Sequence, residues 1–240
     1  MQPYTSNYYS AHREGARRSA TIIVPLVLEY VRPRCVIDVG CGQGTWLAVF
    51  RDHGVQEILG IDGDYLDRTQ LEIARECFQA CDLTTPLRLD RTFDLVVSLE
   101  VAEHLPADCS ANFVESLVRL GPVVLFSAAA PHQGGTQHLN EQWPSYWAQR
   151  FRARGFEPVD CLRRRVWENE QVEWWYAQNA FLYVETEYLK HHPSLWREFQ
   201  FSGGAALPLV HPKRFLEWVE WGKSLCGAPV EATNPIGEAP

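Results

Sequence analysis

Four acidic residues stand in or just beyond four successive apolar runs: Asp38 in "CVIDV", Asp62 in "EILGID", Asp82 in "FQACDL" and Glu100 in "FDLVVSLE". Apolar runs of this length read as buried strands, and a carboxylate at a strand end is placed to receive a polar ligand. Asp62 closes the second run, where its two oxygens match the two O–H donors of a ribose. Asp82 is placed to accept from an exocyclic amine, with the Leu83 N–H beside it. Between Asp38 and Asp62 the chain reads "VIDVGCGQGTW", with Gly40, Gly42 and Gly44 spaced by two and Cys41 among them. Glycines there let the main chain approach a ligand where a Cβ would collide. The helix that opens at Thr45 and Trp46 favours negative charge, such as a carboxylate, at its start. A pyrophosphate fingerprint would need glycine at position 45, which is threonine. A mononucleoside with a compact zwitterionic tail fits better than NAD, and a nicotinamide-dependent oxidoreductase is disfavoured.

These groups need a scaffold. "TWLAVFRDHG" reads as a helix ending at Gly54, "SANFVESLVRL" as the helix before the fifth strand, "GPVVLFSAAA". Continuous Val/Ile/Leu strands separated by helices predict an α/β fold: a doubly wound, mostly parallel, seven-stranded sheet with helices on both faces. Upstream, "EGARRSATIIVPLVLEYV" has helical spacing that Pro25 is expected to kink or interrupt. Downstream, "EQWPSYWAQRFRARG" and "HPKRFLEWVEW" read as helices, and "FEPVDCLRR" and "NAFLYVE" as strands. The expected organisation is a main domain over 1–185 with an N-terminal helical lid, then a helical extension and loose tail over 186–240.

With 22 Lys and Arg against 30 Asp and Glu the net charge is −8, so general phosphate neutralisation is absent and no nucleic-acid partner is expected. The short cluster Arg163–Arg165 reads as a solvated strand surface. No apolar run is long enough to span a bilayer, and no charged-then-apolar leader is seen. The 7 cysteines have no repeated spacing, which fits reduced thiols and a cytoplasmic location. Cys77 and Cys81 lack a companion pair for zinc.

"VIDVGCGQGTW", "ILGIDGDY", "ACDLT" and "FDLVVSLEVAEHLP", in that order, resemble the Rossmann-like S-adenosylmethionine-dependent methyltransferases, over roughly residues 15 to 185. The resemblance implies S-adenosylmethionine as cofactor. It implies Gly40, Gly42 and Gly44 around the amino-acid moiety, Asp62 on the ribose, Asp82 near adenine, and the Glu100–Val101 backbone beside the sulfonium. Asp38, Cys41, Trp46, Gly63 and Leu83 complete the expected cofactor set.

The segment "PHQGGTQHLNEQWPSYW", residues 131–147, follows the fifth strand, where the family builds its acceptor pocket. It is similar to methyltransferases of sugar and natural-product pathways. A small-molecule or glycan acceptor methylated at oxygen is expected. His138, Asn140, Glu141 and Gln142 would bring polar groups toward the transferred methyl. His138, with Glu141 and His104, is the candidate catalytic set, because neutral His suits base work near pH 7. "VEWWYAQN" has three adjacent aromatics that cannot all point inward from a strand, so some are expected to line a pocket. Tyr8, Tyr9 or His12 could face the cofactor from a lid. Two rivals remain. Glu100, Glu103, His104 and His138 resemble the cation site of metal-dependent small-RNA 3′-end methyltransferases, although no metal is the favoured reading. An inactive, cofactor-binding partner protein is the other. The oligomeric state is not legible.

Overall fold

The computed structural model describes residues 6–225, with side chains for 14–224. The tail and the side chains of Tyr8, Tyr9 and His12 lie outside them. In chain order the elements are α1 (Ser6–Leu28), β1 (Cys35–Val39), α2 (Thr45–Asp52), β2 (Glu57–Asp62), β3 (Phe78–Ala80), β4 (Leu95–Leu99), α3 (Ser110–Leu120) and β5 (Val123–Ser127). They continue with α4 (Pro144–Arg152), β6 (Phe156–Val159), α5 (Arg163–Val166), α6 (Trp174–Asn179), β7 (Phe181–Glu185), α7 (Thr186–Lys190), α8 (Pro193–Ser202) and α9 (Pro212–Leu225). One seven-stranded sheet runs β3-β2-β1-β4-β5-β7-β6. The first five strands pair in parallel, and β7 is antiparallel to both of its neighbours. Among the described residues no helix is long and apolar enough to cross a membrane.

Side chains alternate between the two faces of each strand. Val36, Leu95, Val97, Val123 and Leu125 face one core, which α1 and α2 cover with Ala20, Ile23, Val24, Val27 and Leu47. Ile37, Val96, Val124 and Phe126 face the other, covered by α3 and α4 through Phe113, Leu117, Trp147 and Phe151. Sequential β2, β3 and β4 are joined without α-helices; only short 3₁₀ turns, Arg68–Gln70 and Arg75–Cys77, occupy the first crossover. These connections leave β2 and β3 at the sheet end that carries the acids and cross to the other end to begin the next strand.

Three local expectations change. α1 runs through Pro25 without interruption. "VEWWYAQN" holds the helix α6 rather than a strand, so successive aromatics fan out about 100° apart and need not share one face. Tyr176 turns into the core, while Trp174 and Trp175 stay partly exposed. Arg163–Arg165 open α5, and Arg163 is 1% exposed rather than solvated. Its guanidinium donates to Asp160 Oδ2 and to the carbonyls of Gln178 and Leu207, which is how a buried charge is made tolerable.

Phe151 is fully buried, stacked on Tyr183 at 3.9 Å between ring centroids and edge-on to Phe126 at 5.3 Å. Phe151→Ala leaves a cavity between α4 and the sheet and is expected to lower stability by about 3–5 kcal/mol. Urea unfolding followed by circular dichroism measures it; a loss below about 1 kcal/mol would contradict this packing.

Candidate active site

The acids gather at one rim because their strands are neighbours in the sheet. β1 stops at Val39, and the chain turns at Gly40, where the N–H groups of Gly40 and Cys41 both donate to the Ile61 carbonyl at 2.7 and 3.1 Å. Gly40 has φ +87°, and a Cβ there would lie 2.3 Å from Val101 Cγ2, so the loop and the residue after Glu100 are pressed together. Gly42 also has positive φ, at +53°, but a Cβ built on it meets nothing within 4 Å. The loop therefore presents bare backbone to open space at Gly42. Asp62 holds it there: its Oδ2 accepts from Gly42 N at 2.7 Å, and its Oδ1 from Gly63 N at 2.7 Å and Tyr65 Oη at 2.6 Å.

Around this rim, Asp38 is 2% exposed, and burial, with the Asp62 charge second, raises its carboxyl well above the usual range. Burial likewise pushes up the Cys41 thiol. Trp46 is buried edge-on to Tyr176 at 5.2 Å. Thr45 donates to Glu72, which also pairs with Arg17 of α1 and so anchors the start of α2. Asp82 lies two residues beyond β3, exposed, with Oδ1 engaged by Thr84 N and Oγ1 at 2.9 and 2.7 Å. Leu83 packs on the second core.

Glu100 takes φ +55°, unusual for a residue with a side chain, and its N–H donates to the Ser127 carbonyl at 3.0 Å. Its carboxylate accepts from Gln133 Nε2 at 2.6 Å and Asn179 Nδ2 at 3.3 Å. Burial raises its pKa despite those bonds. Glu103, three residues on, is fully buried, and among the described residues no side chain hydrogen-bonds either carboxylate oxygen. Burial first, and the Glu100 charge second, raise it well above the usual range. His104 is held below its usual value by burial and by His138, whose ring lies edge-on to it at 4.8 Å between centroids. His138 Nδ1 meets Glu141 Oε1 at 2.8 Å. Glu141 also accepts from the N–H groups of His132 and Gly134, so it clamps the 132–138 loop.

Of the four expected cation ligands, Glu103, His104 and His138 have ligand atoms within 4.8 Å of one another, while Glu100 is not in that group and is bound to Gln133 and Asn179. Asn140 does not face the rim. It is 3% exposed, donating to Ser110 Oγ at 2.9 Å and accepting from Gln142 Nε2 at 3.0 Å, which also turns Gln142 inward. Gln133, Asn179, Tyr65 and the side chain of Val101 belong to the site but do not stand out in the sequence. Their partners lie up to 79 positions away, and no spacing rule connects Asn179 to Glu100.

A family model for the methyltransferase domain matches residues 11–185, most of the chain. The chain belongs to the methyltransferase family. A malonyl-[acyl-carrier protein] O-methyltransferase from Pseudescherichia vulneris is 28% identical over 160 residues, covering 66% of this chain; the methyltransferase described here spans 62% of that relative's length. DesVI from Streptomyces venezuelae superposes with a TM-score of 0.53 at 17% identity, over 74% of this chain and 95% of that one. The sugar N-methyltransferase KedS8 from Streptoalloteichus superposes with a TM-score of 0.54 at 18% identity, over 70% and 87% respectively. Together with the strand order these give this methyltransferase the expected Rossmann-like fold.

Asp38 supplies a pH test of the rim. Its folded pKa lies above its ordinary 3.8, so the folded chain binds this proton more tightly than the unfolded chain. Its contribution to stability is therefore fully present below about pH 4 and is lost as pH rises toward the folded pKa. Asp38→Asn should flatten that decline. Urea midpoints measured from about pH 4 to 8 check it; an equally steep decline in the variant would show that Asp38 does not titrate as described.

Proposed function

We propose that this enzyme transfers a methyl group from S-adenosylmethionine to the oxygen of a small-molecule or glycan acceptor. One observation carries the cofactor assignment: Gly42 offers side-chain-free backbone over open space, beside a carboxylate that already orders the loop. The donor set fits the group. Asp62 accepts an O–H from Tyr65, so a ribose hydroxyl meets an oxygen prepared for such a donor. Gly40, Gly42, Gly44 and the Thr45–Trp46 helix start would hold the amino-acid end, and Gly63, Asp82 and Leu83 the adenine end. Asp38 and Cys41 would line the floor, and the Glu100–Val101 backbone the side nearest the acceptor.

When bound, the cofactor would supply an electrophilic methyl carbon, open to in-line attack by an acceptor lone pair, with the S–CH3 electron pair leaving on the sulfur of S-adenosylhomocysteine. The chain's part is to align the acceptor and take its proton. His138 is suited to proton removal, because Glu141 fixes one ring nitrogen and leaves Nε2 to accept a proton. Glu141 is then a positioning residue, and His104 packs against the base. Oxygen as acceptor atom is supported by the O-methyltransferase relative. The domain boundary near residue 185 and a reducing cytoplasmic setting, in keeping with the free thiols, belong to the same proposal.

A second reading has its own observation. The two oxygens of buried Glu103, which no described side chain hydrogen-bonds, lie next to two imidazoles and would be satisfied by a divalent cation. In that case His138 Nε2 is a ligand, and its bond to Glu141 orients it.

Asp62→Ala should weaken S-adenosylhomocysteine binding by roughly 10- to 150-fold, the loss of a hydrogen bond to a charged group. Calorimetric titration measures this, and unchanged affinity sinks the ribose assignment. His138→Ala should cut turnover by roughly 10²- to 10⁴-fold while cofactor affinity holds. With a base at work, chelators leave the wild type active. If chelation abolishes activity and added divalent ion restores it, the cation reading takes its place.

A further inference from the structure

α9 lies alongside the 132–141 loop. Arg214 donates from Nη2 to the His132 carbonyl at 2.7 Å and from Nη1 to Glu217 Oε2 at 2.9 Å. Its guanidinium lies 5.1 Å from the Trp218 ring centre, and His132 meets that ring at 6.1 Å. Loop and helix enclose a hollow of about 440 Å³, with His132, Gly134 and Glu141 on one side and Glu217, Trp218 and Trp221 on the other. This volume lies within the range of sites for small molecules, roughly 300–1,000 Å³. A second hollow, of about 540 Å³ between Leu87 and Leu120, opens at the amino end of β4, away from the rim acids.

The loop that walls the hollow reaches the proposed chemistry at two points. Gln133, the residue between His132 and Gly134, donates to Glu100. Glu141 lines the hollow and also holds His138. Its walls select by charge. Among the described lining residues two carboxylates face one guanidinium, whose Nη1 and Nη2 are spent on Glu217 and the His132 carbonyl while only its buried Nε lacks a partner, so the wall favours neutral donors over a carboxylate or phosphate. Each carboxylate has about four lone-pair sites, and Glu141 spends three of them on His132 N, Gly134 N and His138. Glu217 spends one on Arg214, which leaves acceptors for O–H or N–H groups. Trp218 and Trp221 add indole faces, Trp221 with 66% of its surface exposed. Apolar ring faces beside hydrogen-bond acceptors complement a pyranose, whose C–H face is apolar and whose rim carries O–H donors. A flat phenolic ring would use the indoles and leave most of those acceptors unmatched.

We infer that this hollow is the acceptor subsite and that it holds a hydroxylated sugar ring, so that α9 completes the active site. This rests on the methyl-transfer reading of the rim. The test is saturation-transfer NMR on the full chain with methyl β-D-glucopyranoside, methyl β-D-galactopyranoside and methyl α-L-rhamnopyranoside, with catechol and monomethyl malonate as competitors. At least one glycoside should receive saturation at its ring C–H protons. Trp218→Ala should weaken that contact by roughly 10-fold, and Glu217→Gln should weaken it less. Thermal unfolding checks that both variants fold, and calorimetry should show their S-adenosylhomocysteine affinity unchanged. The inference is overturned if no glycoside contacts the wild type, if both folded variants bind it as well as the wild type does, or if catechol or monomethyl malonate displaces it from the same site. A wild type that fails to bind S-adenosylhomocysteine would instead sink the cofactor reading, and the glycoside signal reports on the hollow independently.

Discussion

The Asp62 carboxylate ties the rim together. It is the last residue of β2, yet it receives the N–H of Gly42 from the loop after β1. That bond, with the paired N–H donations of Gly40 and Cys41 to Ile61, fixes the loop over the end of its neighbouring strand. Charge-assisted bonds to backbone N–H groups are stronger than neutral ones, and this one holds a segment whose glycines would otherwise leave it loose. The position of Val101 against Gly40 then follows, and with it the direction in which Glu100 enters the site.

Glu100 and Glu103 are three positions apart and have opposite surroundings. Glu100 is bound by two side-chain amides from distant parts of the chain, which joins β4, the loop after β5 and the end of α6. Glu103 has no such partners, and burial favours its protonated form. One acid is spent on architecture, while the other retains unused bonding capacity at 0% exposure. Buried groups left unsatisfied are costly, which is why Glu103 rather than Glu100 marks where a proton or a cation would matter.

The parallel strands are legible in the sequence because each is a short apolar run and the first four are closed by glycine or an acid, which sheet topology then places together. α6 is illegible for a physical reason: its opening Trp-Trp-Tyr run favours a strand, and tertiary packing of Tyr176 against Trp46 overrides it. Arg163 misleads because charge alone says surface, whereas its partners are two carbonyls 15 and 44 positions away and one nearby acid. At the site, residue type and spacing single out His138 and Glu141, which the structure brings into contact. They do not reveal the inward turn of Asn140 toward Ser110, since a polar residue in a loop reads the same whether it faces ligand or core.

Tyr65 stands over Asp62 with 82% of its surface exposed and its hydroxyl on Oδ1. Any incoming hydroxyl that seeks this oxygen competes with one the chain supplies itself. The receptive form is therefore the fraction of molecules in which Tyr65 has swung away, and apparent affinity is the intrinsic affinity scaled by that fraction. An exposed tyrosine side chain reorients within nanoseconds, so the scaling affects how tightly a ligand is held and hardly slows its arrival. The chain thus carries its own competitor, in fixed stoichiometry, on the carboxylate whose other oxygen orders its glycine loop.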